Sequence, residues 1–405
     1  MEYRKGPGGE MLSVLGFGCM RFEKKGGNID LDRAQEQLQA AVRAGVNYLD
    51  TAYIYGGNEA ALGNIFARTD LRGQVNLATK LPQYLIKSPA APERYFRQQL
   101  SRLQTDHIDY YLMHMLSDVA SWEKLVRLGI SEWIAEKKAS GQIRHIGFSY
   151  HGNTDMFVQI LDAYPWDFCQ IQYNYVDEHS QAGRRGLEEA ARRGIPVIIM
   201  EPLRGGSLTD NLPPDALKLF EEYNRKAASA GSDMKGPMAV TPASLALRWL
   251  WDQPGVTCVL SGMHTMDMVT ENTAAASVSP AGCLTDGEQE LIEKVKRCIA
   301  SHTLVGCTGC GYCQPCPAGV DIPGVFACYN TCAAEGKKVG RREYMRNTLM
   351  RKAASGAGRC TGCGRCRSLC PQQIDIPVRL SEAAQVLETP LYKGARAVLR
   401  LFRLW

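Results

Sequence analysis

No run of about 18 apolar residues occurs in the 405-residue chain, which excludes a membrane-spanning helix. Charge of one sign is also scarce. Lys and Arg number 47 against 42 Asp and Glu, and the resulting +5 is too mild and too dispersed to argue for a nucleic-acid partner. The start, Met1-Glu2-Tyr3-Arg4-Lys5-Gly6, lacks the apolar core of a secretory signal, so a cytoplasmic location is expected. Cysteine is nearly missing from the first 297 residues, which hold only Cys19, Cys169, Cys258 and Cys283. The other 11 of the 15 fall between Cys298 and Cys370, a distribution unlike a disulfide scaffold and suited to a reducing compartment. What is present, 45% hydrophobic and 22% charged residues, is a globular balance. At roughly 150 residues per domain it suggests two or three domains. We place them at 1–285, 286–385 and a basic tail at 386–405.

Short apolar runs alternate with amphipathic helical patterns through the first 280 residues. The expected strands are Ser13–Cys19, Val46–Asp50, Val75–Lys80, Ile108–His114, Ile143–Ser149, Phe168–Gln172, Pro196–Glu201 and Val256–Ser261. Between them fall expected helices at Leu31–Ala44, Ala91–Leu103, Trp122–Lys138, Gly183–Arg193, Pro242–Trp251 and Asp267–Ala275. Fully apolar strands between such helices mean a parallel sheet covered by helices. Eight units in this length fit an α/β fold of the closed (β/α)8 TIM-barrel type, and no Gly-x-Gly-x-x-Gly turn follows the first strand to favour an open sheet.

Chemistry in such a barrel sits at the C-terminal strand ends. Those ends carry Asp50, Lys80, His114, Ser149, Gln170 or Gln172, Glu201 and Ser261, with Tyr55 just past the acid. A tyrosine is a weak acid, but an adjacent lysine cation would lower its pKa, and Asp50 could fix that lysine. His114 could orient a carbonyl, and a bound nicotinamide would supply hydride. The plainer alternative is an ion pair and a core histidine at a barrel mouth.

Asp50-Thr51-Ala52-Tyr53-Ile54-Tyr55-Gly56, Ala78-Thr79-Lys80 and Leu112-Met113-His114 resemble the three signature segments of the aldo/keto reductases. The resemblance, from about residue 10 to about residue 280, implies a catalytic tetrad of Asp50, Tyr55, Lys80 and His114. It also implies a nicotinamide site formed by Cys19, Met20, Ser149, Gln170, Met200, Pro202, Leu203, Arg204, Gly205, Ser261, Gly262, Met263, Glu271 and Asn272. Ser149 and Gln170 would hold the carboxamide, and Met200 stands where the family commonly stacks an aromatic ring. Arg204-Gly205-Gly206 would pass the pyrophosphate. The cations that usually clamp a 2′-phosphate correspond to Gly262 and Met268, so the choice between NADP(H) and NAD(H) stays open.

Cys307-x2-Cys310-x2-Cys313-x2-Cys316-Pro317 and Cys360-x2-Cys363-x2-Cys366-x3-Cys370-Pro371 form two runs. The second has the bacterial ferredoxin spacing, in which three cysteines hold one 4Fe–4S cluster and the fourth reaches the other. Two 4Fe–4S clusters are expected. The shorter first run leaves open the roles of Cys313 and Cys316. Structural zinc is the alternative, but neither run contains histidine. Each run is followed by a near repeat, Gly319-Val320-Asp321-Ile322-Pro323 and Gln373-Ile374-Asp375-Ile376-Pro377, which argues for duplication. The 43 intervening residues look helical, which points to a small, mainly α-helical ferredoxin-like domain. Cys328 and Cys332 read as buried small residues. Reductases with such an appended segment form a subgroup that the whole chain resembles.

The expected function is nicotinamide-dependent interconversion of a carbonyl and an alcohol, with a small-molecule substrate. The clusters would be structural, sensory or a port for a ferredoxin-like partner. An electron-transfer protein using the barrel for docking stays open, as does a ferredoxin-coupled reductase with a flavin, although no flavin fingerprint is visible. The tail, with Arg396, Arg400 and Arg403 on one stripe and Val398, Leu401, Phe402 and Trp405 elsewhere, could lie on a membrane surface; packing on protein is the plainer reading. The stretch Ser207–Pro237 is expected to be a long substrate-side loop.

Overall fold

The computed structural model describes residues 1–152, 154–179, 181–229, 239–334, 336–349 and 355–401. Eight strands form a closed parallel barrel in chain order: β1 Leu15–Gly18, β2 Tyr48–Asp50, β3 Asn76–Leu81, β4 Ile108–Leu116, β5 Ile143–Tyr150, β6 Phe168–Gln172, β7 Val197–Met200 and β8 Val256–Ser261. The last pairs with the first, Val259 opposite Leu15 and Ser261 opposite Phe17. These are the eight expected strands, two with their expected ends and the others adjusted by one or two residues.

Side chains alternate along a strand, so residues two apart share a face. Tyr48, Ala78, Leu112 and Phe168 belong to one buried cluster inside the barrel. Asp50, Lys80, His114 and Gln170 therefore form the next layer up, toward the C-terminal strand ends. An N-terminal hairpin, Tyr3–Lys5 with Met11–Ser13, adds Leu12 to the same cluster, and the Tyr110 hydroxyl donates to Glu10. The apolar layer is what lifts the polar residues to one end.

The helices follow from their caps and apolar faces. Asp30 accepts from the Arg33 amide at 3.2 Å at the start of α1, Leu31–Arg43. Helix α2, Asn58–Arg68, was not expected, because Gly63 interrupts its pattern. That glycine serves packing: a Cβ there would lie 2.1 Å from the Arg102 carbonyl oxygen of α3, Ala91–Leu103. The single helix expected over Trp122–Lys138 is two, α4 Val119–Arg127 and α5 Ile130–Ala139, because Gly129 takes φ +82° between them. Helix α6, Thr154–Ala163, was also not foreseen. The expected α7, Gly183–Arg192, and its successors in the barrel are present. Within Ser207–Pro237, expected as loop, Pro214–Ser229 is helix α8, and residues 230–237 lie outside the described residues. A capping box of Thr241 and Ser244 opens α9, Pro242–Trp251, and α10 is Met266–Ala276.

The chain divides into two compact units, one of Met1–Leu203 with Ala230–Gln289 and one of Arg204–Ser229 with Glu290–Trp405. Helix α11, Asp286–His302, contains the second division. The second unit is helical apart from its cysteine loops: α12 Ile322–Ala334, α13 Lys337–Leu349, α14 Arg365–Leu369, α15 Ile376–Leu387 and α16 Pro390–Leu401. The two repeats do the same job, each starting a helix after a cysteine loop. Asp321 accepts from the Gly324 amide at 3.2 Å, and proline occupies the first turn of α15, where its missing N–H costs nothing. Ile322, Phe326, Tyr344, Leu380 and Leu387 make its core. Among the described residues no helix is long and apolar enough to cross a membrane. Phe402, Arg403 and Trp405 of the tail lie outside the described residues, as do the side chains of Val398, Arg400 and Leu401.

Candidate functional site

Lys80 is 1% exposed, and its ammonium donates to both Asp50 oxygens, at 2.6 and 2.8 Å, and to the Thr51 carbonyl at 2.8 Å. All three protons of the ammonium have acceptors. Burial pushes the Asp50 carboxyl up in pKa, and Lys80 pulls it back. Removing one partner of such a buried pair costs about 3–5 kcal/mol. The Lys80 Nζ lies 5.2 Å from the centre of the Tyr55 ring, and the Tyr55 and His114 rings meet edge-on at 6.2 Å. The four residues predicted to act together are brought together.

The electrostatics differ from the expectation in one respect. Burial first, then the charges of Asp50 and Glu201, hold the Tyr55 hydroxyl well above the usual tyrosine range. Tyr55 therefore stays a phenol and offers a proton. Burial, then Lys80 and then His151, push His114 well below the usual histidine range, so its ring is neutral. Its Nδ1 is buried without a hydrogen-bond partner. Met115 and Glu201, which directly follow His114 and Met200, take φ +55° and +54°. Left-handed backbone at non-glycine residues is costly and gathers at functional sites.

Ser149 and Gln170 are 1% exposed and lie opposite each other in the pairing of β5 and β6. The Ser149 hydroxyl accepts from the Met115 amide at 2.9 Å, while Gln170 Oε1 is buried with no partner, an acceptor suited to an amide N–H. Met200 packs against the inner cluster. Ser261 accepts from Asn272 at 3.1 Å, with Met263 buried beside them and Glu271 exposed. Cys19 is buried, its carbonyl accepting from Asn58 Nδ2, whereas Met20 is exposed. Pro202 and Leu203 close the barrel unit's first segment, and Arg204 and Gly205 belong to the second unit. There Arg204 Nη2 donates to the Gly306 carbonyl at 3.2 Å.

Two groups escaped the sequence reading. Glu59, 2% exposed, accepts from Thr79 and Gln99 at 2.7 Å each and from Arg102 at 3.2 Å. Gln99 also donates to the Lys80 carbonyl at 3.2 Å, so this network braces the strand that carries Lys80. The acid just after Gly56-Gly57-Asn58 was its one visible signal. Arg21 is the other: its side-chain carbons pass 3.3–3.6 Å from where a Gly262 Cβ would stand. The Arg21 side chain thus passes beside the position where the sequence has no lysine.

In the second unit, Cys307, Cys310, Cys313 and Cys370 line one hollow. Cys366 has Cys360, Cys316 and Cys363 as its electrostatic neighbours. The quartets are crosswise: Cys313 goes with the first, Cys316 with the second. Burial, then Cys310 and Cys370, push the Cys307 thiol up to about 11, against the pull of Arg204. Cys313 is pushed up to about 12 by burial and then by Cys307 and Cys310. Crowded thiols of this kind ionise when metal binds them. Four thiols around one hollow are the donor set of a multi-iron cluster, and cysteine loops of this spacing hold such clusters. Cys328 and Cys332 are buried on α12.

The profile of the Aldo/keto reductase family matches residues 14–293, more than half of the chain. That of the 4Fe-4S dicluster domain matches residues 306–375. The chain is 28% identical over 279 residues to L-galactose dehydrogenase of Arabidopsis thaliana, covering 66% of this chain and 86% of that protein. It is 26% identical over 297 residues to aldo-keto reductase yakc [NADP(+)] of Schizosaccharomyces pombe, covering 67% and 86%. The holo form of aldo-keto reductase AKR11C1 from Bacillus halodurans superposes with a TM-score of 0.57 at 26% identity, covering 73% of this chain and 96% of that one.

Proposed function

The chain belongs to the aldo/keto reductase family and carries a C-terminal 4Fe–4S domain, and from that premise we propose that its barrel interconverts an aldehyde or ketone and the alcohol. The observation that carries this reading is the buried Lys80–Asp50 pair beside a protonated Tyr55 and a neutral His114. A bound nicotinamide, NADP(H) or NAD(H), supplies or accepts hydride at the carbonyl carbon. His114, uncharged, orients the carbonyl oxygen through a ring N–H. Tyr55 gives its hydroxyl proton to that oxygen, and Lys80, fixed by Asp50, steadies the phenolate left behind. In the direction of alcohol oxidation the proton returns to Tyr55.

Gln170, with its unpartnered Oε1, and Ser149 hold the carboxamide, Met200 covers the ring, and Arg21 supplies charge for the dinucleotide phosphates beside Gly262. The second unit holds two 4Fe–4S clusters, one on each crosswise quartet. Fifteen cysteines, none in a disulfide among the described residues, suit a reducing cytoplasm.

The test is Tyr55→Phe, assayed with NADPH and NADH against a panel of aldehydes and ketones. Loss of turnover with nucleotide binding retained supports the reading. Unchanged turnover overturns it and favours a barrel that only docks a redox partner.

A further inference from the structure

The two cysteine quartets sit in different surroundings. From Gly306 to Gly319 the first loop has no charged residue, and Ile322, Phe326, Ile374 and Ile376 line the hollow beside Cys307, Cys310, Cys313 and Cys370. Two polar groups interrupt this apolar wall. Thr308 lines the hollow at 8% exposure, and its hydroxyl is buried with no hydrogen-bond partner. Arg204, buried 102 residues earlier in the chain, donates from Nη2 to the carbonyl of Gly306, which directly precedes Cys307. The same guanidinium pulls the Cys307 thiol down against the larger effect of burial.

The other charged groups near the two loops have their own partners. Asp321 and Asp375 stand at the starts of α12 and α15, which supply Ile322 and Ile376 to the hollow. Asp321 accepts from the Gly324 amide at 3.2 Å, and Asp375 pairs with Arg367. Arg359 Nε donates to the Ala318 carbonyl at 2.7 Å, just past Cys316 of the other quartet, and Glu388 accepts from the Gly358 amide at 2.8 Å. In the second run Thr361 takes the place of Thr308 and is exposed, as are Cys363 and Arg365. Only the first quartet thus has a buried hydroxyl in its wall and a buried cation at its loop.

An iron–sulfur cluster gains negative charge on reduction, and an apolar hollow screens that charge poorly. The potential of such a cluster follows the charge around it and the hydrogen bonds to its sulfurs. We propose that Arg204 and Thr308 set the potential of the cluster on Cys307, Cys310, Cys313 and Cys370: the guanidinium favours the reduced form by its charge, and the Thr308 hydroxyl donates to a sulfur of the site. Reduction takes up one electron from an external donor, and no protein bond forms or breaks. The family resemblance lays Arg204 along the dinucleotide pyrophosphate; the structure turns its guanidinium onto the cysteine loop. The proposal rests on the reading that the quartets hold clusters.

The test uses full-length holoprotein made anaerobically, with iron and sulfide measured. Titration with dithionite and redox mediators is followed by electron paramagnetic resonance, and Cys370→Ala, which should keep only the second cluster, tells the two steps apart. Arg204→Gln should make the first cluster about tenfold harder to reduce at a given poise, a fall of about 59 mV for a one-electron couple. Thr308→Val should act in the same direction by about fivefold. Arg204→Lys keeps the charge and should recover most of the loss. The second cluster should move less in all three, whereas Arg365→Gln should act mainly on that cluster. Thr308→Val and Arg204→Lys give the answer should Arg204→Gln assemble poorly. With iron and sulfide at wild-type levels, an unmoved first step, or equal shifts of both steps, overturns the proposal and leaves the cluster reading intact. Absence of iron and sulfide from the wild-type protein overturns both.

Discussion

The barrel and the cysteine-rich unit carry their chemistry in opposite ways. In the barrel the working groups stand on strands above an apolar layer, and Lys80 finds its counter-charge and a carbonyl within its own unit. The second unit gathers thiols from loops that are far apart in the chain, Cys370 with Cys307 and Cys316 with Cys366. Among them Cys307 and Cys313 are pushed up by burial and by their neighbouring thiols. A barrel mouth is organised before anything binds. A cysteine quartet is completed by what it holds, and the difference predicts where each unit is vulnerable.

The largest effect should fall on the barrel's proton donor. Tyr55→Phe is expected to lower kcat for carbonyl reduction by about 10^2–10^4 while leaving iron content unchanged, as measured by steady-state kinetics and metal analysis. The converse is Cys370→Ala, which should remove the cluster on Cys307, Cys310 and Cys313 and halve the iron and sulfide, with barrel unfolding unaffected in calorimetry. A comparable iron loss from Tyr55→Phe, or full iron in Cys370→Ala, would break the distinction.

Smaller effects sharpen the account of how the barrel is braced. Glu59→Ala strips acceptors from Thr79, Gln99 and Arg102 and should destabilise the barrel by about 2 kcal/mol in denaturant unfolding. Arg21→Ala should weaken dinucleotide binding by about tenfold in a fluorescence titration, without loss of stability.

The smallest effect concerns pH. His151 is pushed down to about 4 by burial, against an ordinary value of 6.5. His114 is also depressed, so both rings take up protons more readily when unfolded. Their contribution to stability is fully present above about pH 6.5 and is lost as the pH falls toward 4. The barrel Tm should drop across that window, and His151→Gln should flatten the slope. A Tm that rose on acidification would contradict the burial of these rings.

The residues that were legible in the sequence share one property: their partners recur at fixed places in the strand pattern. Asp50, Lys80 and His114 end three successive strands, and Tyr55 follows the first of them in the same short segment. Glu59 was hidden because Thr79, Gln99 and Arg102 lie on other elements, and no spacing rule links them. Arg21 was missed for the same reason, since its place beside Gly262 depends on closure between the first and last strands. The Tyr55 pKa was misread because the burial that raises it does not show in the sequence. The expected helix over Trp122–Lys138 ran through Gly129 because a glycine can either sit in a helix or end one, and only packing decides. The cysteine runs were plain, yet the partition of Cys313 and Cys316 needed the fold of α12 and α15 to bring the two loops together.

The most direct test of the carbonyl chemistry is isotopic. Wild-type protein is incubated with nicotinamide deuterated at the transferable C4 position and with a reactive aldehyde or ketone, and the alcohol is analysed by mass spectrometry and NMR. The account predicts one deuterium on the carbinol carbon, formed in wild type and not in Tyr55→Phe. Product alcohol without deuterium at that carbon would show that its hydrogen comes from elsewhere, and would contradict direct hydride transfer in the barrel.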